Sequence, residues 1–349
     1  MGRVRLLAGL LVVLMTSGCN PFSEAGSMMD EYVKRVGRVL EVEPVLSDVP
    51  PGVVMPSRRD RLLELPELDM GMLDFLSLYG CELQYVVGEK NSVMGRVMQP
   101  LNRLRYELRF IDAANACLPT IESEALQDSL RIAAEHKRAS LRLAVWNATW
   151  GVEEVESLLT LSKGPLPVAL SADAVTDLTI DIERLNEAVT KLLAGALDHS
   201  LADLGGVHQR WQAEYLAGQA INSALLLTTR LRDASALIRQ RLDGRPLCLR
   251  GKPNNQSDIV RNMFFSVFIE RIQPYMADVR RVREAVVVPL NRLAKQQAPV
   301  MPDAFADWYR RMLALDDPDS VWMQLDHAMQ VHIESWQLLL EQCGMRPAA

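Results

Sequence analysis

The stretch ADAVTDLTIDIERLNEAVTKLLAGALDHSL, residues 172–201, decides the fold class. Val175, Leu178, Ile182, Leu185, Val189, Leu192 and Ala196 recur in alternating steps of three and four, the spacing that lines one face of an α-helix with an apolar seam. Gly205 and Gly206 interrupt the pattern, which resumes through Leu216, Ala220, Leu227, Leu231, Ala234 and Ile238. It stops at Asp243-Gly244, a C-terminal glycine signal. The two runs predict a long antiparallel αα-hairpin over residues 172–242, with arms of about 45 Å at a helical rise of about 1.5 Å per residue.

Helical spacing extends outward from this stretch, and period-two alternation is almost absent, so the chain reads as an all-α, multi-helix bundle. Toward the C-terminus, Ser257–Gln297 reads as one long helix with Val260, Phe264, Val267, Phe268, Met276 and Val279 inward. Pro274 lies inside it and costs about 3 kcal/mol unless the helix kinks or breaks, so a bend is expected at Gln273–Tyr275. In the last helix, Asp319 or Ser320 can cap a stripe of Trp322, Leu325, Met329, Ile333, Trp336, Leu340 and Cys343, and Gly344 stops it. The N-terminal half offers helices near 28–41, 67–87, 93–116 and 122–149, with a Val- and Pro-rich loop from Glu43 to Pro56. SKGPLPVALSAD, residues 162–173, is the best internal boundary. It separates an N-terminal helical half, 28–165, from a C-terminal half, 166–349, and the two halves also fit one continuous domain.

The N-terminus carries an address. Arg3 and Arg5 form a basic region, Leu6–Met15 an apolar run of signal-peptide length, and Ser17-Gly18 the small residues before a cut. TSGC, Thr16 to Cys19, resembles the lipobox of bacterial lipoproteins, which makes residues 1–18 a lipoprotein signal peptide and Cys19 the acylated mature N-terminus. Thr16 departs from the leucine usual at that position. In Gram-negative lipoproteins an Asp after the lipidated Cys marks inner-membrane retention, and here that residue is Asn20. The resemblance therefore implies the periplasmic face of the outer membrane. Residues 19–27 would form a short tether, and two acyl chains already give stable anchoring.

With Cys19 assigned, Cys81, Cys117, Cys248 and Cys343 remain, in a compartment where disulfides persist. Four cysteines allow three connectivities. Pairing Cys81 with Cys117 and Cys248 with Cys343 keeps each bridge within one half and is the expected arrangement. A zinc site lacks a C-x-x-C pair or a histidine near any cysteine. The net charge of −6 speaks against nucleic acid and against an electrostatic grip on anionic lipid.

Sites of chemistry are hard to find. His327 and His332 lie five residues apart, about 140° round a helix, and cannot share a ligand face. His199 and Asp203 have ligand spacing at a fraying helix end and read as a surface pair. His136 and His208 have no suitably spaced partner, and no metal or other cofactor is expected. G-x-S-x-G, S-x-x-K and H-E-x-x-H are all missing, so the chain reads as non-enzymatic. The densest polar constellation places Glu82, Glu89, Arg103 and Glu107 in an ion-pair network between helices or along a cleft. Arg280, Arg281 and Arg283 read as a solvated helix face.

The lipobox, CELQYVVGEKNS with LRYELRFIDAANACLP, CLRGKPNNQSDIVRNMFF and DPDSVWMQLDHAMQVHIESWQLLLEQCG together resemble an uncharacterised family of Gram-negative lipoproteins of this length. The resemblance spans the whole chain and imports no activity. The resulting expectation is a lipid-anchored scaffold that recruits a protein partner in the envelope. The alternatives are a carrier or sensor of a small apolar ligand held between helices, or an envelope hydrolase.

Overall fold

The computed structural model describes residues 23–66, 80–92, 95–198 and 200–345. Cys19, Asn20 and the rest of the signal segment, the first part of the helix expected at 67–87, and His199 lie outside them. Among the described residues the fold is all-α, with no strand. The longer elements are α1 (Glu24–Leu40), α2 (Glu82–Asn91), α3 (Pro100–Cys117), α4 (Glu124–Thr149), α5 (Thr176–Leu193), α6 (Leu204–Trp211), α7 (Leu216–Asp243), the continuous helix α8 (255–296), α9 (Asp303–Met312) and α10 (Val321–Glu341).

Ser23 starts α1 by accepting a hydrogen bond from the Gly26 N–H at 3.0 Å, which satisfies a donor of the first turn. Residues 24–27, expected in the tether, are therefore already helical. The buried stripe of α1, Met28, Met29, Tyr32, Val33, Val36 and Leu40, packs against α7 and the first turns of α8. Main-core residues run from Ala25 to Cys343. A smaller core lies between α2, α3 and α4, built on Leu83, Val86, Phe110, Ala114, Leu130 and Ala134.

Both long helices expected over 172–242 are present, as α5 and α7. The short α6 sits between them, and each finds its main partner elsewhere: α5 against residues 288–296 of α8, α7 against α10 and α1. The reason lies in α7, which buries Ala220, Ile221, Ala224, Leu226, Leu227, Leu231, Ala234 and Ile238. That surface is wider than a two-helix seam needs, so several helices share it.

α8 does not break at Pro274. The N–H of Gln273 bonds the carbonyl of Phe268, five residues back, and Val288 does the same to Arg283 just before Pro289. Each proline thus follows a widened turn, which gives the ring room against the carbonyl four residues earlier.

The Cα atoms of Cys81 and Cys117 lie 5.8 Å apart, and those of Cys248 and Cys343 5.1 Å apart. The first pair joins the start of α2 to the end of α3. The second joins the loop after α7 to the end of α10. Between α1 and α2 in the chain, the extended segment at 42–56 lies on the main core and is pinned by charge. Asp233 accepts from the Ser47 N–H and Oγ at 3.1 and 2.6 Å, while Arg230 reaches the Ser47 carbonyl at 2.5 Å and Asp30 at 2.6 Å.

Candidate functional site

α8 and α10 run antiparallel. The rings of Phe264 and Trp336 are 5.0 Å apart, those of Phe268 and His332 5.2 Å, and Arg283 grips both carboxylate oxygens of Asp326 at 2.6 and 3.0 Å. On α8, Phe264, Phe268, Ile272 and Met276 step by four, a spacing that drifts round an ordinary helix of about 3.6 residues per turn. The widened turn over Phe264–Ile272 keeps them in line, and all four are buried. Along this seam lies a groove of about 390 Å³. Phe264, Phe268, Met276 and Trp336 floor it, Ile269, Met329 and Ile333 wall it, and Gln273, Arg280 and Gln337 stand at its rim.

Beneath the floor is a hydrogen-bonded hub from three distant segments. The Trp336 indole N–H points at both the Tyr32 hydroxyl, 2.9 Å, and His332 Nε2, 3.1 Å. Tyr32 Oη and His332 Nε2 are 2.7 Å apart, and Ser235 Oγ lies 3.0 Å from Nδ1. Ser235 already donates to the Leu231 carbonyl at 2.6 Å, so Nδ1 carries the imidazole proton and Nε2 accepts. Burial holds the His332 imidazole down to about 3 and pushes the Tyr32 phenol well above its ordinary range. The hub is neutral, and each of its polar atoms has a partner.

In the stripe expected on α10, Trp322, Leu325, Trp336, Leu340 and Cys343 are buried, but the two middle positions are displaced by one. Ala328 and His332 face the core, whereas Ile333 is 43% exposed and Met329 only partly covered. Tyr32 and Ser235 explain the displacement, because they offer a buried histidine the partners that Ile333 cannot use. The displaced Met329 and Ile333 become groove walls. A histidine four residues before a buried Trp was the available signal.

In the smaller core the structure brings together two of the four residues expected in a polar network, Arg103 and Glu107, at 2.5 Å. Glu89 pairs with Arg109 at 2.6 Å, and Glu82 stands exposed in the first turn of α2. The partner that sequence reasoning missed is Lys137, 2.6 Å from Glu107, with both side chains under 5% exposed. Its ammonium lies over the Tyr106 and Phe110 rings at 5.3 and 5.5 Å. Burial pulls the Lys137 ammonium down, and the Glu107 carboxylate opposes the pull. A lysine on the apolar stripe Leu130, Ala134, Lys137, Leu141, Ala144 was the overlooked mark.

The arginine run at 280–283 does not share one face. Arg280 stands at the groove rim beside Glu284, Arg281 donates to the Leu170 carbonyl, and Arg283 lies over Trp322 at 5.4 Å. A larger hollow of about 670 Å³ lies along α3 and residues 195–202. Its two arginines are already held, Arg105 by Asn102 and the Leu201 carbonyl, Arg109 by Glu89. Its lining also mixes these with Asp112 and Asp198. His208 is buried beside Trp211, and burial pulls its imidazole down. Among the described residues no three His, Cys, Asp or Glu side chains are placed to hold a metal ion, and no helix is long and apolar enough to cross a membrane.

The chain belongs to the family described as "Protein of unknown function (DUF3080)", which matches residues 29–347. No curated protein and no solved structure shows significant similarity to it.

Proposed function

We propose, for this member of a family of unknown function, that the chain is a lipid-anchored envelope protein that holds a small apolar molecule between α8 and α10 and performs no chemistry on it. The observation that carries this reading is the groove of about 390 Å³ with an aromatic floor and a polar rim. Small-molecule sites span roughly 300–1,000 Å³ and combine apolar linings with a few polar groups. The hub ties the floor residue Trp336 to Tyr32 and His332. Both His332 nitrogens are engaged and Tyr32 is held far from ionisation, so neither is free to move a proton. The anchor at Cys19 and the placement facing the periplasm rest on the lipobox and Asn20. With α1 starting at Glu24, the four residues from Asn20 to Ser23 span at most about 14 Å, which holds the folded body against the lipid surface.

The test uses the mature chain without its lipid and the uncharged fluorophore N-phenyl-1-naphthylamine. Saturable binding is expected, with a loss of about tenfold or more in Ile333→Asp, because a carboxylate in an apolar groove must be desolvated. Ile333 is part-exposed, so the variant should keep its helical circular dichroism and melting temperature. Absence of saturable binding removes this reading in favour of partner recruitment. For the anchor, Cys19→Ser should move the protein from the membrane to the soluble fraction. Retention after a high-salt wash would refute lipidation.

A further inference from the structure

Charge distinguishes the two long sides of α8. The groove toward α10 is lined by one formally charged residue, Arg280. On the opposite side, a second groove of about 410 Å³ toward the start of α1 gathers Glu24, Glu31, Glu270 and Asp278 around Arg271. An apolar ligand with a cationic end would meet its complement on the acidic side. One with an anionic end meets it in the apolar groove, where Arg280 is the one charged residue among the described lining.

The ends of the apolar groove say where that charge would sit. Phe264 and Trp336 lie toward one end of the floor, their rings 5.0 Å apart. Near the other, Arg283 is committed, with both Asp326 oxygens on its guanidinium and its face on Trp322. Arg280 lies one turn earlier and bonds Glu284 at 2.8 Å, with Asp326 acting on it from further off, the two bonded side chains being 73% and 60% exposed. An exposed i,i+4 pair is weak and readily exchanged. A ligand carboxylate or phosphate can therefore replace Glu284 and take the guanidinium fork in bidentate fashion. From Phe264 to Arg280 the helix advances at most about 24 Å, taking the α-helical rise of about 1.5 Å per residue, which leaves room for one extended chain.

Building on the apolar-ligand reading above, we infer that the groove between α8 and α10 takes a single-chain amphiphile with an anionic head, the chain on Phe264, Phe268 and Trp336 and the head on Arg280. The two possible heads, carboxylate and phosphate, share this chemistry.

The experiment displaces bound N-phenyl-1-naphthylamine with four amphiphiles of one chain length, below their micelle concentrations: palmitate, hexadecyl phosphate, hexadecanol and hexadecyltrimethylammonium. The anionic pair should displace the dye at concentrations about tenfold or more below hexadecanol, with the cation weakest. Whichever anion is stronger identifies the head. Arg280→Gln, an exposed change whose own dye affinity is measured first, should bring palmitate to the level of hexadecanol in that variant, whereas Arg271→Gln in the acidic groove should not. Equal displacement by all four compounds, or an anion preference that survives Arg280→Gln, overturns the inference while leaving the groove a binding site. Failure of the dye itself to bind overturns both.

Discussion

At the centre of the main core Tyr32, Ser235, His332 and Trp336 bury polar groups without a formal charge, whereas the smaller core of α2, α3 and α4 buries a carboxylate and an ammonium, Glu107 and Lys137. The hub keeps its donors and acceptors paired by holding one imidazole neutral. The ion pair keeps two charges out of water, and Lys137 depends on Glu107, which Arg103 also holds at 2.5 Å. Neutral networks lose stability one hydrogen bond at a time, about 1–3 kcal/mol for each group left unpaired. A buried ion pair loses more when one partner goes, about 3–5 kcal/mol, and little when both are replaced by apolar groups. The difference also bears on ligand binding, because an apolar groove is best floored by groups that do not change charge.

Four measurements would break or sharpen this comparison, beginning with the two cysteine pairs, one in each core. Peptide mapping without reductant should link Cys81 to Cys117 and Cys248 to Cys343. Four free thiols would remove the staples altogether. By loop-closure entropy, replacing Cys248 and Cys343 by Ser, separation 95, should cost about 5 kcal/mol in urea unfolding, and replacing Cys81 and Cys117, separation 36, about 4 kcal/mol. A cost near zero in either core would mean that its helices are already held by packing.

Next in size is the ion pair. Glu107→Leu alone, which leaves the Lys137 ammonium buried without its carboxylate, should destabilise by about 3–5 kcal/mol, and the double change Lys137→Met with Glu107→Leu should recover most of that. If single and double variants are equally unstable, the pair is not coupled and the contrast with the hub fails. In the hub, Tyr32→Phe should cost about 1–2 kcal/mol, because His332 Nε2 keeps the Trp336 N–H as donor. A loss as large as that of Glu107→Leu would show the hub to be as all-or-none as the ion pair.

The last measurement is the response to pH. The folded-state pKa of His332, about 3, lies below the unfolded value near 6.5, so the unfolded chain takes up the proton first. The contribution is intact above about pH 6.5 and declines toward pH 3 at about 1.4 kcal/mol per unit, roughly 2 kcal/mol by pH 5. His208, also pulled down by burial, adds in the same direction. Lys137 is lowered from the lysine range, so its effect belongs to alkaline pH and should leave the acid limb unchanged. His332→Gln should reduce the acid slope by up to one proton, measured by unfolding between pH 5 and 7.

Helix positions and caps were legible because each is written in adjacent residues. Val175, Leu178, Ile182, Leu185, Val189 and Leu192 are all buried as their spacing predicts, and Ser320 caps α10 by accepting from the Met323 N–H at 3.2 Å. The even number of cysteines beyond Cys19 could likewise be counted. The widened turns were not legible, since Pro274 alone could announce a kink, a break or an extra residue in the turn. The candidate site was half legible: its aromatic residues were visible as stripes, but their opening into a groove was not.

The sequence by itself determined that this chain is helical, where most helices begin and end, and which apolar faces must be covered. Periodicity defines a face relative to the axis of its own helix, which is local information. Only the tertiary structure decided which neighbour covers each face and which polar groups go inside with it. Tyr32 and His332 lie 300 residues apart, Ser235 and His332 97, and Glu107 finds Lys137 on another helix. A buried histidine or lysine is tolerable only when its partners arrive within hydrogen-bond reach, and that depends on packing several helices at once. The groove is a product of the same choice: turning His332 inward to meet Tyr32 and Ser235 turns Met329 and Ile333 out to line it.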